Sequence, residues 1–361
     1  MRLCNGYEEP LSQKTSYRLS VLDLSPVASG STSSEALRNT LDLARLADEL
    51  GYTRYWLAEH HNTQLIASST PEVMIGHVAS VTKRIRVGSG GVMLPNHAPL
   101  HVAEAFRVLE ALHPGRIDLG LGRAPGTDSL TALALRRSRE ALSAEDFPQR
   151  LDELLAFLGL SSAVRHDGAG DGGFPENHPF EQVRAMPDDV PPPDVWLLGS
   201  SDFSSALAAH WRLGFAFAHH INPVLAVRAL RDYQENFRPS AGMAKPQALL
   251  GVSAVCAETD EKAEVLARPL ELTLLRFRQG RSARFPSVEE ATNYPYTTED
   301  REIIRYNRQR TFIGSPSSVR ARVSELAAQA GVEEIMITTM MHDHADRRRS
   351  YELLAEAFGI A

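Results

Sequence analysis

Cysteine is scarce in this sequence: only Cys4 and Cys256 occur among 361 residues. Two cysteines cannot supply a disulfide framework or a cysteine-based zinc site. Positive charge is also limited, because 38 Lys and Arg face 45 Asp and Glu, which gives a net charge of −7. Since the longest basic run is Arg347-Arg348-Arg349, we expect neither nucleic acid nor an anionic membrane as the main partner.

Long apolar runs are missing as well. No segment approaches the roughly 18 apolar residues of a membrane-spanning helix. The N-terminus lacks the charged and then apolar stretches of a secretory signal, so we expect a cytoplasmic globular protein. Hydrophobic residues make up 43% of the chain, enough for a sizeable core. The length alone allows either two domains or one enlarged barrel.

One order of elements recurs along the chain: an amphipathic helix, a glycine and a short apolar strand. In the first instance the helix begins after Thr32 and ends at Gly51, and the apolar strand follows. The same order returns at Gly115, Gly214 and Gly331. This alternation predicts parallel strands connected by helices.

We predict eight strands, at about 18–24, 53–58, 85–90, 116–121, 194–199, 215–219, 249–256 and 334–339. Eight strands, each followed by a helix, would close a (β/α)8 TIM barrel of the α/β class. A doubly wound open sheet is the alternative, but it would expect a Gly-x-Gly-x-x-Gly turn after an early strand. We predict one barrel domain over residues 1–361, with loop insertions near 161–193 and 276–312.

Histidine pairs occur where two of these strands end. Glu59-His60-His61 follows strand two and His219-His220 follows strand six, at the barrel end where the chemistry of such folds collects. Because adjacent side chains of a strand point to opposite faces, at most one histidine of each pair is expected in the barrel mouth. The other is expected to be a hydrogen-bonded packing residue.

Small and basic residues follow two other strands. Arg123 comes after strand four, and Gly199-Ser200-Ser201 comes after strand five and leads into a helix that contains Ser204. The serines could simply cap that helix. Alternatively, the helix start and Arg123 could together bind an anion such as a phosphate. The sequence leaves both possibilities open.

Taken in order, the motifs resemble the bacterial luciferase-like family of flavin-dependent monooxygenases, over nearly the whole chain from Leu19 to Phe358. The family fold is a (β/α)8 barrel. The motifs that carry the resemblance are Tyr55-Trp56-Leu57-Ala58-Glu59-His60-His61, Ile85-Arg86-Val87-Gly88-Ser89-Gly90-Gly91-Val92-Met93-Leu94-Pro95, the stretch from His113-Pro114-Gly115-Arg116 to Gly122-Arg123, and Leu198-Gly199-Ser200-Ser201.

The resemblance implies a role for each of these positions. His60 would lie near the reactive edge of the isoalloxazine as an acid or base. Gly90-Gly91 falls where the family has an often cis peptide beneath the flavin ring. The phosphate-binding positions correspond to Arg123, Gly199, Ser200, Ser201 and Ser204, although luciferase has an acidic residue where this chain has Ser200. The substrate side is assigned to Glu59, His61, His219 and His220.

The implied activity is that of an FMN-dependent monooxygenase. It would receive reduced FMN as a cosubstrate from a separate flavin reductase and use O2 to oxidise a small organic substrate, through a peroxide at C4a of the flavin. An aldehyde is the candidate substrate by analogy with luciferase. The family pattern further implies a homodimer that pairs through the helices near strands two and three.

Three alternatives remain at this point. The chain could be a non-catalytic flavin-binding relative, or a relative that uses a deazaflavin for hydride transfer. It could also be a metal-dependent barrel hydrolase, suggested by His342-x-His344. Such hydrolases usually carry a His-x-His at the first strand, where this chain has Leu22-Asp23-Leu24-Ser25. We therefore predict no metal and expect His342 and His344 to cap or precede the last helix.

Overall fold

The computed structural model describes residues 16–136, 145–161, 173–240 and 242–361, and these contain ten strands. In chain order they are β1 (Arg18–Asp23), β2 (Arg54–Leu57), β3 (Arg86–Ser89), β4 (Val92–Met93), β5 (Ile117–Gly122), β6 (Asp194–Gly199), β7 (Gly214–Ala218), β8 (Ala248–Cys256), β9 (Thr311–Gly314) and β10 (Glu334–Thr338).

Eight of these strands form a closed parallel barrel in the order β1, β2, β3, β5, β6, β7, β8 and β10. The barrel closes because β10 pairs with both β8 and β1. These strands are the eight that the sequence predicts, so the TIM barrel is confirmed and the open sheet is wrong. The pattern missed β4, which has only two residues and lies beside β5, and β9, which begins inside the predicted loop insertion 276–312 and lies beside the second half of β8.

Helices follow the barrel strands and surround them. They are α1 (Ser33–Glu49), α2 (Pro71–Val81), α3 (Pro99–Leu112), α4 (Ser129–Arg136), α5 (Phe147–Phe157), α6 (Asp202–Trp211), α7 (Ala226–Asn236), α8 (Asp260–Arg278), α9 (Val288–Asn293), α10 (Thr298–Asn307), α11 (Pro316–Ala330) and α12 (His344–Phe358). The predicted start of α1 is confirmed, because the Thr32 side chain accepts a hydrogen bond from the Glu35 N–H at 3.1 Å. None of the helices in the described ranges is long and apolar enough to cross a membrane.

The barrel interior has an aromatic layer above a charged base. Trp56 of β2 and Trp196 of β6 pack edge to face with ring centroids 5.5 Å apart. Below them Arg54 makes 2.8 Å ion pairs with both Asp118 and Glu334. These charges are buried but paired, as buried charges must be. The interior is therefore filled toward the amino ends of the strands, and the open end of the barrel is at their carboxyl ends.

The two predicted insertions differ in what the structure shows. Residues 276–312 contain the end of α8 and the helices α9 and α10, both of which pack on α8. The sequence shows no continuous helical period here because the segment forms short helices instead of one long one. In the other segment, residues 162–172 lie outside the described residues, and 173–193 contains no helix or strand. The assignment of the whole chain to one domain stays a prediction.

Candidate active site

A cavity of about 760 Å³ opens at the carboxyl ends of the barrel strands. Three segments line it: the residues that follow β2, the residues that follow β5, and the stretch from Thr273 to Arg284 at the end of α8 and beyond it. Much of the wall is apolar and is formed by Leu65, Ile66, Pro125 and Phe277. A mouth of this kind at this end of a barrel is the expected place for a ligand.

His60 lines this cavity, and one nitrogen of its ring lacks a hydrogen-bond partner within the described residues. Its Nδ1 atom is buried and makes no hydrogen bond within the described part of the chain. Burial lowers the pKa of His60 below its ordinary value, and the neighbouring Glu59 carboxylate offsets this only in part. The ring is therefore neutral at pH 7, and it can accept or donate a proton once a ligand is present.

Glu59 lies behind the cavity wall and does not line it. Its carboxylate interacts with His61 Nε2 at 2.8 Å and His97 Nε2 at 2.9 Å, and it accepts a hydrogen bond from the Met93 N–H at 2.8 Å. Burial alone raises the pKa of Glu59, but the hydrogen bonds with His97, His61 and Met93 hold it below the usual range. Glu59 therefore orients His61, which does line the cavity.

The Gly90–Gly91 peptide bond is cis, as the resemblance implies. The backbone packs tightly on the barrel interior at this point. A Cβ at Gly90 would lie 2.7 Å from Leu22 Cδ1 and 3.1 Å from Trp56 Cβ, and one at Gly91 would lie 2.6 Å from the Gly120 carbonyl oxygen. These contacts leave no room for a side chain at either position.

Arg123 lies beside the start of α6. It directly follows β5, and its guanidinium lies 4.4 Å above the ring of Phe203 in the first turn of that helix. Across the ranges that the structure describes, Arg123 has no hydrogen bond or ion pair. The structure thus brings together the basic residue and the serine segment that the sequence predicts to share an anion.

The first turn of α6 retains free backbone donors. Ser201 is the N-cap residue, but its side chain makes no capping hydrogen bond, so the capping alternative is not realised there. Uncapped first-turn N–H groups and the helix dipole favour an anion. Gly199 lets the helix approach β6, because a Cβ at that position would lie 2.2 Å from both Cβ and Oγ of Ser204.

His219 and His220 do not line this cavity. His219 is buried and stacks on Phe312 at 5.4 Å, and burial, followed by the charge of His220, lowers its pKa to about 4. His220 Nδ1 lies 3.3 Å from the carbonyl oxygen of Gly251. Burial also lowers the pKa of His220.

The histidines near α12 have other partners. His342 Nε2 lies 3.1 Å from the Ser29 carbonyl oxygen, and His344 Nε2 lies 2.8 Å from a carboxylate oxygen of Asp42. His342 precedes α12 as predicted, whereas His344 is the first residue of that helix and Asp343 is its N-cap. Within the described residues, no group of three or more His, Cys, Asp or Glu side chains is arranged to hold a metal ion.

Sequence reasoning missed individual residues on two sides of the site. It predicted 276–312 as a loop insertion without singling out Arg276, Phe277, Arg281 or Arg284, all of which line the cavity. It also missed His97, which holds Glu59. The available signal for His97 was its position, two residues after the motif that ends in Pro95.

Comparison with known proteins agrees with this geometry. Residues 17–334 match the family described as luciferase-like monooxygenase. The luciferase-like monooxygenase of Escherichia coli (strain K12) is 38% identical and covers 92% of this chain and 95% of its own length. Two relatives from Bacillus subtilis (strain 168) are the uncharacterized protein YvbT, 44% identical over 96% of this chain and 98% of that protein, and N-acetyl-S-alkylcysteine monooxygenase, 34% identical over 94% and 98%.

Solved structures share the fold. The crystal structure of apo-MsnO8 has a TM-score of 0.85 and 38% identity, and the match covers 96% of this chain and 99% of that one. More distant barrels include the FMN complex of the oxygenating constituent of 3,6-diketocamphane monooxygenase (TM-score 0.66, 20% identity). An F420-dependent secondary alcohol dehydrogenase has a TM-score of 0.60 and 13% identity. The chain therefore belongs to the luciferase-like monooxygenase family, whose members are oxidoreductases that incorporate molecular oxygen.

Proposed function

We propose that this protein is an FMN-dependent monooxygenase that uses reduced FMN and O2 to oxidise a small organic substrate. One observation carries the proposal. Within the described residues, Arg123 has no ionic partner and lies over Phe203 in the first turn of α6, at the same end of the barrel as His60, whose Nδ1 makes no hydrogen bond there. A candidate anion site and a group that could transfer a proton thus lie at the same end of the barrel, where a largely apolar cavity also opens.

The residues present fit a flavin mononucleotide. Arg123, the free N–H groups of α6 and the hydroxyls of Ser200, Ser201 and Ser204 would hold its phosphate. The ring would lie on the side-chain-free backbone of Gly90 and Gly91, where no Cβ could be accommodated. Since the chain is acidic overall, these local groups must themselves supply the positive field for the phosphate.

When bound, reduced FMN would supply two electrons and the carbon at which O2 is activated, so that one oxygen atom enters the substrate and the other leaves as water. His60 would accept or donate the proton at Nδ1. Leu65, Ile66 and Phe277 would limit access of water to the reacting atoms. Glu59 would act only through its hydrogen bond with His61.

The substrate class has two candidates. An aldehyde follows by analogy with luciferase, and a thioether is suggested by the relative that is named N-acetyl-S-alkylcysteine monooxygenase. We further propose that a separate flavin reductase delivers the reduced FMN. Both substrate classes can be assayed with the same reductase-coupled system, using decanal and N-acetyl-S-butylcysteine as probes.

We also propose that two copies of the chain pair through α2 and α3. These helices contact one another and carry exposed apolar side chains: Val73 is 56% exposed, Val108 46% and Leu112 67%. Exposed apolar residues that cluster on neighbouring helices are typical of a surface that another chain covers. The pairing would be symmetric, with the same patch on both copies.

The test separates FMN binding from turnover. We expect His60→Ala to keep the FMN dissociation constant of the unaltered protein while substrate oxidation falls about 10²–10⁴-fold, since an acid or base is lost. Arg123→Ala should instead weaken FMN binding about tenfold or more, because a charge-assisted contact is lost. Arg38→Ala, at an exposed position of α1, is the matched control and should change neither quantity.

Each contrary result has a defined meaning. Unchanged turnover in His60→Ala would remove His60 from catalysis, and unchanged FMN affinity in Arg123→Ala would remove Arg123 from the phosphate site. FMN binding without oxygen consumption would identify a non-catalytic flavin-binding relative. If the protein transfers hydride with a deazaflavin and incorporates no oxygen, the proposed reaction is wrong and the deazaflavin alternative is correct.

A further inference from the structure

Three arginines stand on one side of the active-site cavity. Arg276, Arg281 and Arg284 all line it, and they come from one short segment at the end of α8 and just beyond it. Asp128 is the acidic residue among the lining groups. In a chain with a net charge of −7, this is a local excess of positive charge that faces an apolar wall.

Two of the three arginines already have partners. Arg276 donates to a carboxylate oxygen of Glu290 at 2.7 Å, and Arg284 donates to the Ser31 carbonyl oxygen at 2.6 Å. Arg281 differs from both. Its backbone N–H donates to the Arg276 carbonyl oxygen, but within the described residues its guanidinium has no hydrogen bond or ion pair.

Asp128 forms no ion pair with Arg281 in the described part of the chain, and its oxygens accept hydrogen bonds from other groups. One oxygen accepts the N–H groups of Leu130 and Thr131 at 2.9 and 3.0 Å, and the other accepts the Thr131 hydroxyl and the Asn62 amide at 2.7 and 3.1 Å. Asp128 thus caps the start of α4. Arg281 itself is exposed, so its guanidinium is accessible to a ligand.

An apolar side chain that lines the same cavity is also exposed to solvent. Phe277 lies in the same segment as Arg281, and its side chain is 77% exposed although it lines the cavity. An exposed aromatic ring next to an unpaired guanidinium suits a ligand with an apolar body and an anionic end.

We propose that the substrate of this enzyme carries a carboxylate on an apolar body and that Arg281 is the residue that selects it. The inference rests on the proposed function and names the substrate class of the same site. Arg281 binds the carboxylate through charge-assisted hydrogen bonds, and the apolar body packs on Phe277 and points toward His60. Arg281 is a specificity-determining residue and takes no part in proton transfer.

The test compares two probes that differ only in charge: N-acetyl-S-butylcysteine and its primary amide. Isothermal titration calorimetry on the flavin-free protein should show the acid binding about tenfold more tightly than the amide. Arg281→Gln should abolish that preference and Arg281→Lys should retain part of it. Arg278→Gln is the matched control, because Arg278 lies over Tyr306 and does not line the cavity.

Turnover gives the second readout. Arg281→Gln should raise KM for the acid about tenfold and leave kcat unchanged, as expected when uniform binding is lost. Equal binding of acid and amide, no detectable binding of either, or an unchanged preference in Arg281→Gln would each overturn the proposal. Failure of FMN binding or of oxygen consumption would refute the proposed function, and the calorimetric preference would still decide the charge of the ligand.

Discussion

At the scale of single residues, this protein uses histidines in different environments for different purposes. His60 is half-buried on the cavity wall, and its Nδ1 makes no hydrogen bond among the described residues, whereas His97 is held by Glu59. Burial lowers the pKa of His97, but the hydrogen bond with Glu59 more than offsets this and raises it above the ordinary value. His219 is buried against Phe312 without such a partner. Their identical side chains therefore titrate in different pH ranges.

His219 makes the fold sensitive to acid. Its pKa is about 4 in the folded protein and about 6.5 in an unfolded chain. The unfolded chain therefore binds the proton first, and the free energy of unfolding falls as pH drops from about 6.5 to about 4. For this group alone, the loss at pH 5 amounts to about 2 kcal/mol.

We therefore expect His219→Phe to lose about 2 kcal/mol less stability than the unaltered protein between pH 7.5 and pH 5. Urea unfolding at the two pH values measures this difference. The same substitution at the exposed His210, which packs edge to face with Trp211, serves as the control. An equal acid-induced loss in His219→Phe and the unaltered protein would contradict this assignment.

At the scale of elements, the junction between β6 and α6 is closely packed. Gly199 permits it, because a Cβ there would coincide with the side chain of Ser204. The first turn of α6 and its free N–H groups are thereby held next to the strand end. The position of the proposed anion site thus depends on the absence of a side chain at Gly199 as well as on the serines.

Gly199→Ala should push the first turn of α6 away from β6. We expect a loss of about 1–3 kcal/mol in unfolding free energy from overpacking, together with weaker FMN binding in a fluorescence titration. Gly76→Ala is the control, because its Cβ would meet only Leu109 Cδ2 at 3.5 Å within α2. That change should be neutral or stabilising.

The double variant Gly199→Ala/Ser204→Gly isolates the steric cause. Removing the Ser204 side chain clears the space, so the double variant should be more stable than the sum of the two single changes predicts. If the two changes in unfolding free energy simply add, the contact between residues 199 and 204 does not determine how closely α6 packs on β6.

The elements were largely predictable from the sequence, and the site only in part. The barrel strands are apolar runs that follow helix-ending glycines such as Gly51 and Gly331, and this is local information. The role of Arg281 depends on a contact between the end of α8 and loops about 150 residues or more earlier in the chain, which no local pattern records. Glu59 was grouped with the substrate side because alternation does not fix side-chain directions beyond the end of β2.

At the scale of the whole molecule, the exposed patch on α2 and α3 tests the proposed pairing. Val108→Glu with Leu112→Glu should shift the protein from dimer to monomer, because it places four like charges in a symmetric interface. Light scattering coupled to size-exclusion chromatography measures the mass. Val224→Glu, at a 78% exposed valine after β7, should leave the mass unchanged, and a dimer that persists in the double variant would exclude this face.

The residues proposed to bind flavin and those proposed to bind substrate come from different parts of the chain, and this has a practical consequence for redesign. His60, Arg123 and the first turn of α6 follow barrel strands, whereas Arg276, Phe277, Arg281 and Arg284 belong to the end of α8 and the chain just beyond it. Residues 273–284 therefore form a cassette that could be exchanged between members of the family. A chimera that receives this segment from another member should keep the flavin chemistry of the host and acquire the substrate preference of the donor.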